Sequence, residues 1–234
     1  MRAVNLPPAN RVLIVTGHYG SGKTEFSVSL AMRLARTKTE ERLAVIDMDV
    51  ANPYFRSRER RGMLEEAGIE VFGSLYDKEI TAELPALGAR LRAPLENKSY
   101  RVIVDAGGND SGALVLNQFK KYFTPETSTT LAVVNFSRYE TQNAETAAAH
   151  VDAIEYATGL RVEYLVNNTH LLRETTAETV AKGHRLAMEV CEKTGKKLFC
   201  DCYPAPVVKG EELFGVGENP FPLGLYMRPT WLDR

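Results

Sequence analysis

Gly17, Gly22, Lys23 and Thr24 stand at the spacing G-x-x-x-x-G-K-[ST] within TGHYGSGKTEF, residues 16–26. Glycines at those places let backbone N–H groups converge on phosphate oxygens with no Cβ in the way, and a helix opening there adds the partial positive charge of its N-terminus. Lys23 is placed to reach the β- and γ-phosphates of a nucleoside triphosphate, and the Thr24 hydroxyl to ligate Mg²⁺. Gly20, Ser21 and Glu25 complete the stretch expected to hold the nucleotide. A Gly-rich turn can also be a packing device alone. Four fixed residues between an apolar run and a helical pattern favour the phosphate reading.

A magnesium ion held there calls for carboxylates, and ligands of open α/β sheets bind at the carboxyl ends of strands. Two stretches offer them. VIVDAGG, residues 102–108, closes an apolar run with Asp105, expected to stand behind the metal. Gly108 follows at the D-x-x-G spacing, where a glycine N–H can sense a γ-phosphate. AVIDMDV, residues 44–50, ends in Asp47 and Asp49; one can orient attacking water while the other holds metal or a loop. For each of these acids the competing explanation is a helix cap or a turn.

Those side chains need strands and helices to position them. Short apolar runs recur at VLIV (12–15), LAVID (43–47), IEVFG (69–73), RVIVD (101–105), TLAVVN (130–135), VEYLVN (162–167) and KLFCDC (197–202). They read as buried strands. Between them, Phe26, Leu30 and Leu34 share a helical face, as do Ala144, Ala147, Val151 and Ile154, and later Ala177, Val180, Ala181, Ala187 and Val190. Thr175 and Glu178 have the spacing of a capping box that opens the last helix, and Gly195 sits where it would end. The alternation predicts an α/β fold: a mostly parallel sheet of about seven strands with helices on both faces. No linker divides the chain, so residues 1–234 are expected to form one domain, with an irregular C-terminal segment from about 205 to 234.

The four quoted motifs GHYGSGKT, VIDMDVANPYF, VIVDAGG and YLVNN resemble, in order and spacing, those of the MinD/ParA/CobQ-type P-loop ATPases of the SIMIBI class, over residues 11 to about 170. The resemblance implies that Asp49 lies near the attacking water, that Asp105 bears on magnesium, and that Asn167 contacts the base. It also implies face-to-face dimerisation around ATP, with hydrolysis switching partner binding. The catalytic set so implied is Lys23, Asp49 and Asp105; Thr24, Asp47 and Asp105 form the metal set. YPAPV, residues 203–207, lies where the family's base-flanking loop follows the last strand. The chain departs from the pattern at His18, where many members carry a second lysine; an imidazole uncharged near neutral pH does not replace a constant cation. The text GSGKT is also similar to that of the HypB and UreG GTPases. A guanine site of the N-K-x-D type needs an Asp, however, and NNTH, residues 167–170, supplies none. Adenine is therefore the expected base.

Composition narrows the class. With 29 basic and 30 acidic residues the net charge is −1, so no global field draws the chain to nucleic acid or an anionic membrane. No apolar run has the length of a signal peptide or a membrane span, and the three cysteines do not make a secreted disulfide framework. A cytoplasmic setting is expected. Cys200 and Cys202 would share one strand face, but a tetrahedral metal site needs four ligands, so they read as buried strand residues. The basic run Arg56–Arg61 after NPYF, residues 52–55, is a solvated helix start or a docking point for phosphates or an acidic partner. The function expected is an Mg²⁺-dependent ATP-binding protein with slow ATPase activity, switching homodimerisation or the binding of a client protein. The alternatives are a small-molecule kinase or ATP-dependent ligase, and a HypB/UreG-like GTPase metallochaperone.

Overall fold

The structure, a computed structural model, describes residues 10–37, 41–49, 60–73, 84–108 and 110–227. NPYF and most of the basic run, Arg56 to Glu59, lie outside the described residues. The strands are β1 (Val12–Thr16), β2 (Arg42–Met48), β3 (Ile69–Phe72), β4 (Tyr100–Ala106), β5 (Ser128–Val134), β6 (Tyr164–Asn167), β7 (Lys197–Pro204) and β8 (Pro220–Leu223). They form one sheet in the order β3-β2-β4-β1-β5-β6-β7-β8, and every pairing is parallel. The helices are α1 (Lys23–Arg36), α2 (Arg61–Glu66), α3 (Leu84–Glu96), α4 (Asp110–Gln118), α5 (Ala144–Thr158) and α6 (Ala177–Thr194).

The central strand β1 is buried at every residue. Its period of two divides its side chains between the two faces of the sheet. Leu13 and Val15 join Phe26, Leu30 and Leu34 of α1 in one cluster, whereas Val12 and Ile14 pack with Leu91 and Leu95 of α3 and Leu116 of α4 in another. Further along the second face, Ala144, Ala147 and Val151 of α5 meet Ala187 and Val190 of α6. The helix faces read from the sequence thus cover the sheet, except that Ala177 and Val180 of α6 pack against Val208 and Leu213. The last helix begins one residue later than the capping pattern predicts. Thr176 is its N-cap, accepting from the Thr179 N–H at 3.2 Å, because the Thr175 hydroxyl is engaged with Leu172 O at 2.7 Å.

The C-terminal segment, expected to be irregular, contributes an eighth strand. Asp201 and Ala205 of the β7 side donate N–H bonds to the Asn219 and Leu223 carbonyls, so the odd-numbered residues of this stretch face β7. Pro220 and Pro222 then turn their missing N–H toward the outer edge, where no donor is required and where another strand is discouraged from adding. Phe221 and Leu223 are buried on the α1 side, with the Phe221 ring 5.4 Å from that of Phe26. Cys200 and Cys202 belong to the same cluster, their sulfurs 3.9 Å apart. Among the described residues no group of three or more His, Cys, Asp or Glu is arranged around a metal position. No helix among them is long and apolar enough to cross a membrane.

Because Phe221 is fully buried and the largest side chain of β8, Phe221→Ala is expected to lower stability by about 3–5 kcal/mol, read from urea unfolding.

Candidate nucleotide-binding site

All strands run one way, so the carboxyl ends of β1, β2, β4, β5 and β6 gather at one edge of the sheet. The segment 17–22 leaves β1 there and turns into α1. Gly17, Gly20 and Gly22 hold positive φ values of 152°, 73° and 84°, a region that side-chain-bearing residues rarely enter. Space is short as well as conformation. A Cβ at Gly17 would lie 2.4 Å from the Val133 carbonyl oxygen, and one at Gly22 would lie 2.3 Å from Asn168 Nδ2. Gly108, after β4, needs its missing side chain for another reason: a Cβ there would stand 1.9 Å from Gly17 O. The D-x-x-G glycine therefore touches the loop itself. Ser21 is fully buried with its hydroxyl oxygen unpartnered by any described group.

Beneath the loop, Lys23, Asp47, Asp49 and Asp105 are all buried. Lys23 Nζ lies 2.9 Å from Asp49 Oδ2. Asp47 and Asp105 are register partners across β2 and β4, which sets the two carboxylates side by side, and Asp47 Oδ1 accepts the Asp49 N–H at 3.1 Å. Asp105 accepts from Ser27 Oγ at 3.2 Å and from the Thr24 hydroxyl, while its Oδ2 is buried with no hydrogen bond from any described residue. Burial, then the neighbouring Asp47, pushes its pKa up to about 7, against the pull of Lys23. Asp47 and Asp105, register partners, with the Thr24 hydroxyl on Asp105, bring together oxygen donors of the kind that suits a hard divalent cation such as Mg²⁺. The expected residues Thr24, Asp47 and Asp105 are thus brought together with Lys23 and Asp49.

His18 turns away from this cluster. Its Nδ1 lies 2.8 Å from Tyr19 O, its Nε2 accepts the Asn135 N–H at 3.4 Å, and its ring meets that of His150 edge-on at 5.5 Å. Burial lowers its pKa to about 4, so the imidazole is neutral at ordinary pH and braces the loop against β5. A cation does flank the loop from elsewhere: Arg138, in the connection after β5, donates from Nε to Gly20 O at 3.3 Å. Its place in SRYE, residues 137–140, carried no motif signal.

Beside the loop opens a cavity of about 390 Å³ whose walls include Gly20, Gly22, Lys23, Thr24 and Arg138. Its far side is apolar, built from Leu172, Pro204, Leu223, Leu225 and Met227. Asn168 and His170 also line it. Asn167 does not: its Nδ2 donates to Val180 O at 3.2 Å and to Asp201 Oδ1 at 2.8 Å, and its Oδ1 accepts from Thr169. Asp201 in turn meets His184 Nδ1 at 2.9 Å, so Asn167 belongs to a buried polar network that fixes the β6 loop. The NN doublet gives no sign of which asparagine turns inward. Asn168 donates to Ser21 O at 2.7 Å and leaves Oδ1 unpartnered beside the cavity. Glu25 also lines the cavity, but its carboxylate accepts the Tyr226 and Met227 N–H groups.

No protein-family model matches the chain, and no curated protein is similar to it in sequence. Solved structures share its fold. Signal recognition particle 54 kDa protein from Aeropyrum pernix K1, in complex with GDP, superimposes with a TM-score of 0.56 at 19% identity, over 84% of this chain and 42% of that one. FtsY from Thermotoga maritima gives 0.54 at 19% identity, over 84% and 63%. Chloroplast FtsY from Physcomitrella patens gives 0.52 at 14% identity, over 84% and 60%. The chain therefore spans less than two thirds of these neighbours' own length, and the likeness is one of fold alone: an α/β architecture around a parallel sheet, with no bearing on the MinD/ParA/CobQ assignment in particular.

The unfolded chain takes up a proton at His18 near pH 6.5 and the folded protein only near pH 4, so folding stability falls as pH drops through that window. His18→Asn, which cannot be protonated, is expected to lose about 1–2 kcal/mol less than the parent between roughly pH 7 and pH 5, measured by denaturant titration at each pH.

Proposed function

We propose that this protein binds ATP with Mg²⁺, hydrolyses it slowly, and uses the cycle to switch homodimerisation or the binding of a client protein. One observation carries the reading: a loop of left-handed glycines ends at an ammonium and a hydroxyl that sit among three buried carboxylates. Backbone N–H groups of residues 17–24 would receive the phosphate oxygens, with Lys23 on the β- and γ-phosphates. Magnesium, when bound by Thr24, Asp47 and Asp105, supplies charge neutralisation across the phosphates. Lys23 is paired with Asp49, so a polyphosphate that engages the ammonium competes with that carboxylate. The released Asp49 is then available to orient a water molecule and accept its proton. Gly108, in contact with Gly17, would register the terminal phosphate through the same loop.

Adenine is favoured over guanine by the chemistry of the cavity wall. Guanine presents N1–H and an amino group, which call for an acceptor such as a carboxylate. Glu25 is the one acid among the described residues lining the cavity, and two backbone N–H groups already occupy it. His170 has its pKa lowered to about 4 by burial, and its Nδ1 accepts the Leu172 N–H at 3.4 Å, which leaves Nε2 as a donor. GTP is the second reading, favoured by the GDP present in the Aeropyrum pernix neighbour. The switch function draws support from an aromatic side chain on the cavity wall: Tyr19 is 70% exposed, where a second molecule could cover the nucleotide.

Calorimetry with ATP, GTP and Mg²⁺ tests the base and the loop together. ATP is expected to bind more tightly than GTP, and Lys23→Ala to abolish binding of either; normal ATP affinity in that variant would refute the assignment. Asp49→Asn is expected to keep ATP binding while hydrolysis falls at least about a hundredfold, measured as phosphate release. Light scattering with ATP, with ADP and with neither then reports on the switch, which requires the mass or the shape to change.

A further inference from the structure

The C-terminal segment after β8 is fastened to the first helix turn of the candidate nucleotide site. Glu25, one residue past Thr24, accepts the Tyr226 N–H on Oε1 at 2.9 Å and the Met227 N–H on Oε2 at 2.8 Å. Ser29, one turn further along α1, donates its hydroxyl to Glu25 Oε1 at 3.0 Å and accepts the Gly224 N–H at 3.1 Å. Three of the four amides from residue 224 to residue 227 are therefore tied to one Glu–Ser pair. The fastening fixes an unusual backbone path. Leu225 holds φ at 53°, and the ring of Tyr226 would lie 2.2 Å from a Cβ at Gly224.

That path brings Leu223, Leu225 and Met227 to the apolar wall of the cavity, which they form together with Leu172 and Pro204. Leu172 has φ 54°; it and Leu225 are the two non-glycine residues of positive φ among the described residues, and both line this cavity. Such conformations cost free energy and persist where surrounding contacts enforce them, which is common at ligand sites. Here the enforcing contacts on Leu225 are the bonds to Glu25 and Ser29.

We propose that Glu25 is a positioning residue: it binds no phosphate, and it holds the segment 224–227 as the wall against which the nucleoside's base is packed. The inference rests on the reading of this cavity as a base site. The carboxylate is suited to the task because only an ionised or doubly accepting group can take two adjacent N–H donors, one on each oxygen. An amide of the same shape places an NH₂ against one of them.

The test compares two ligands, Mg·ATP and inorganic tripolyphosphate with Mg²⁺, by calorimetry on the full chain. In Glu25→Gln the affinity for ATP is expected to fall about tenfold or more, roughly 1.4 kcal/mol, while that for tripolyphosphate changes less than about twofold. Ser29→Ala, a small change inside α1 that keeps the helix, is expected to show the same base-selective loss at smaller size and guards against a Glu25 variant that fails to fold. Hydrogen exchange at the Tyr226 and Met227 amides is expected to quicken in Glu25→Gln. Unchanged ATP affinity in both variants, or an equal loss for both ligands, overturns the positioning role and leaves the base site standing. A parent protein that binds tripolyphosphate but not ATP overturns the base site and the inference with it. A parent that binds neither overturns the nucleotide reading altogether.

Discussion

Three carboxylates, Asp47, Asp49 and Asp105, are buried around a single ammonium, that of Lys23, and the rest of the site is arranged around the resulting imbalance. Taking an ion out of water is costly, and an excess of one sign makes it more so. The protein meets the excess partly with the Lys23–Asp49 pair and partly by raising the pKa of Asp105, so that a proton is shared into the cluster near neutral pH. A dication among the same oxygens would answer the same need. On the proposed reading, the cluster that is electrostatically unsatisfied is also the one that recruits magnesium and a polyphosphate, and the ion pair that stabilises it is the one a substrate must disturb.

The cluster works only if backbone can come close to backbone above it. Gly17 packs under the Val133 carbonyl, Gly108 against Gly17, and Gly22 beside Asn168. The loop is therefore held from β5, β4 and β6 at once, at distances that leave no room for a Cβ. A displacement at the end of β4 is felt directly at Gly17, with no side chain between. His18 adds to this bracing as a neutral buried imidazole, part of the packing between loop and β5. Arg138 stands across Gly20 and supplies a positive charge from a different connection.

On its apolar side, the cavity depends on the segment of sequence that had the least regular appearance. The stretch after β7 closes the sheet with β8, whose prolines fit because they face the edge, and then returns to α1 through Glu25 and Ser29. The loop side of the cavity comes from the first crossover, and most of its apolar side from residues 204–227.

The loop, the alternation of strands and helices, the faces of α1, α5 and α6, and the acids at strand ends were legible because each rests on a local rule: a spacing, a period, or a residue type that only one backbone conformation tolerates. The partners of those residues were not. That Asp47 stands beside Asp105 follows from β2 pairing with β4, which no spacing within either strand encodes. That Asn168 rather than Asn167 reaches the cavity follows from Asp201 and Val180 claiming Asn167, contacts separated by 34 and 13 positions in the chain. That Pro220–Leu223 forms a strand follows from an open edge on β7 and a buried ring near Phe26. The sequence by itself determined where the glycine loop would lie and where the first helix would begin, since glycine spacing and helix onset are local properties. Which side chains surround that place, and what wall stands across from it, only the tertiary structure decided, because burial and pairing are properties of residues that meet in space.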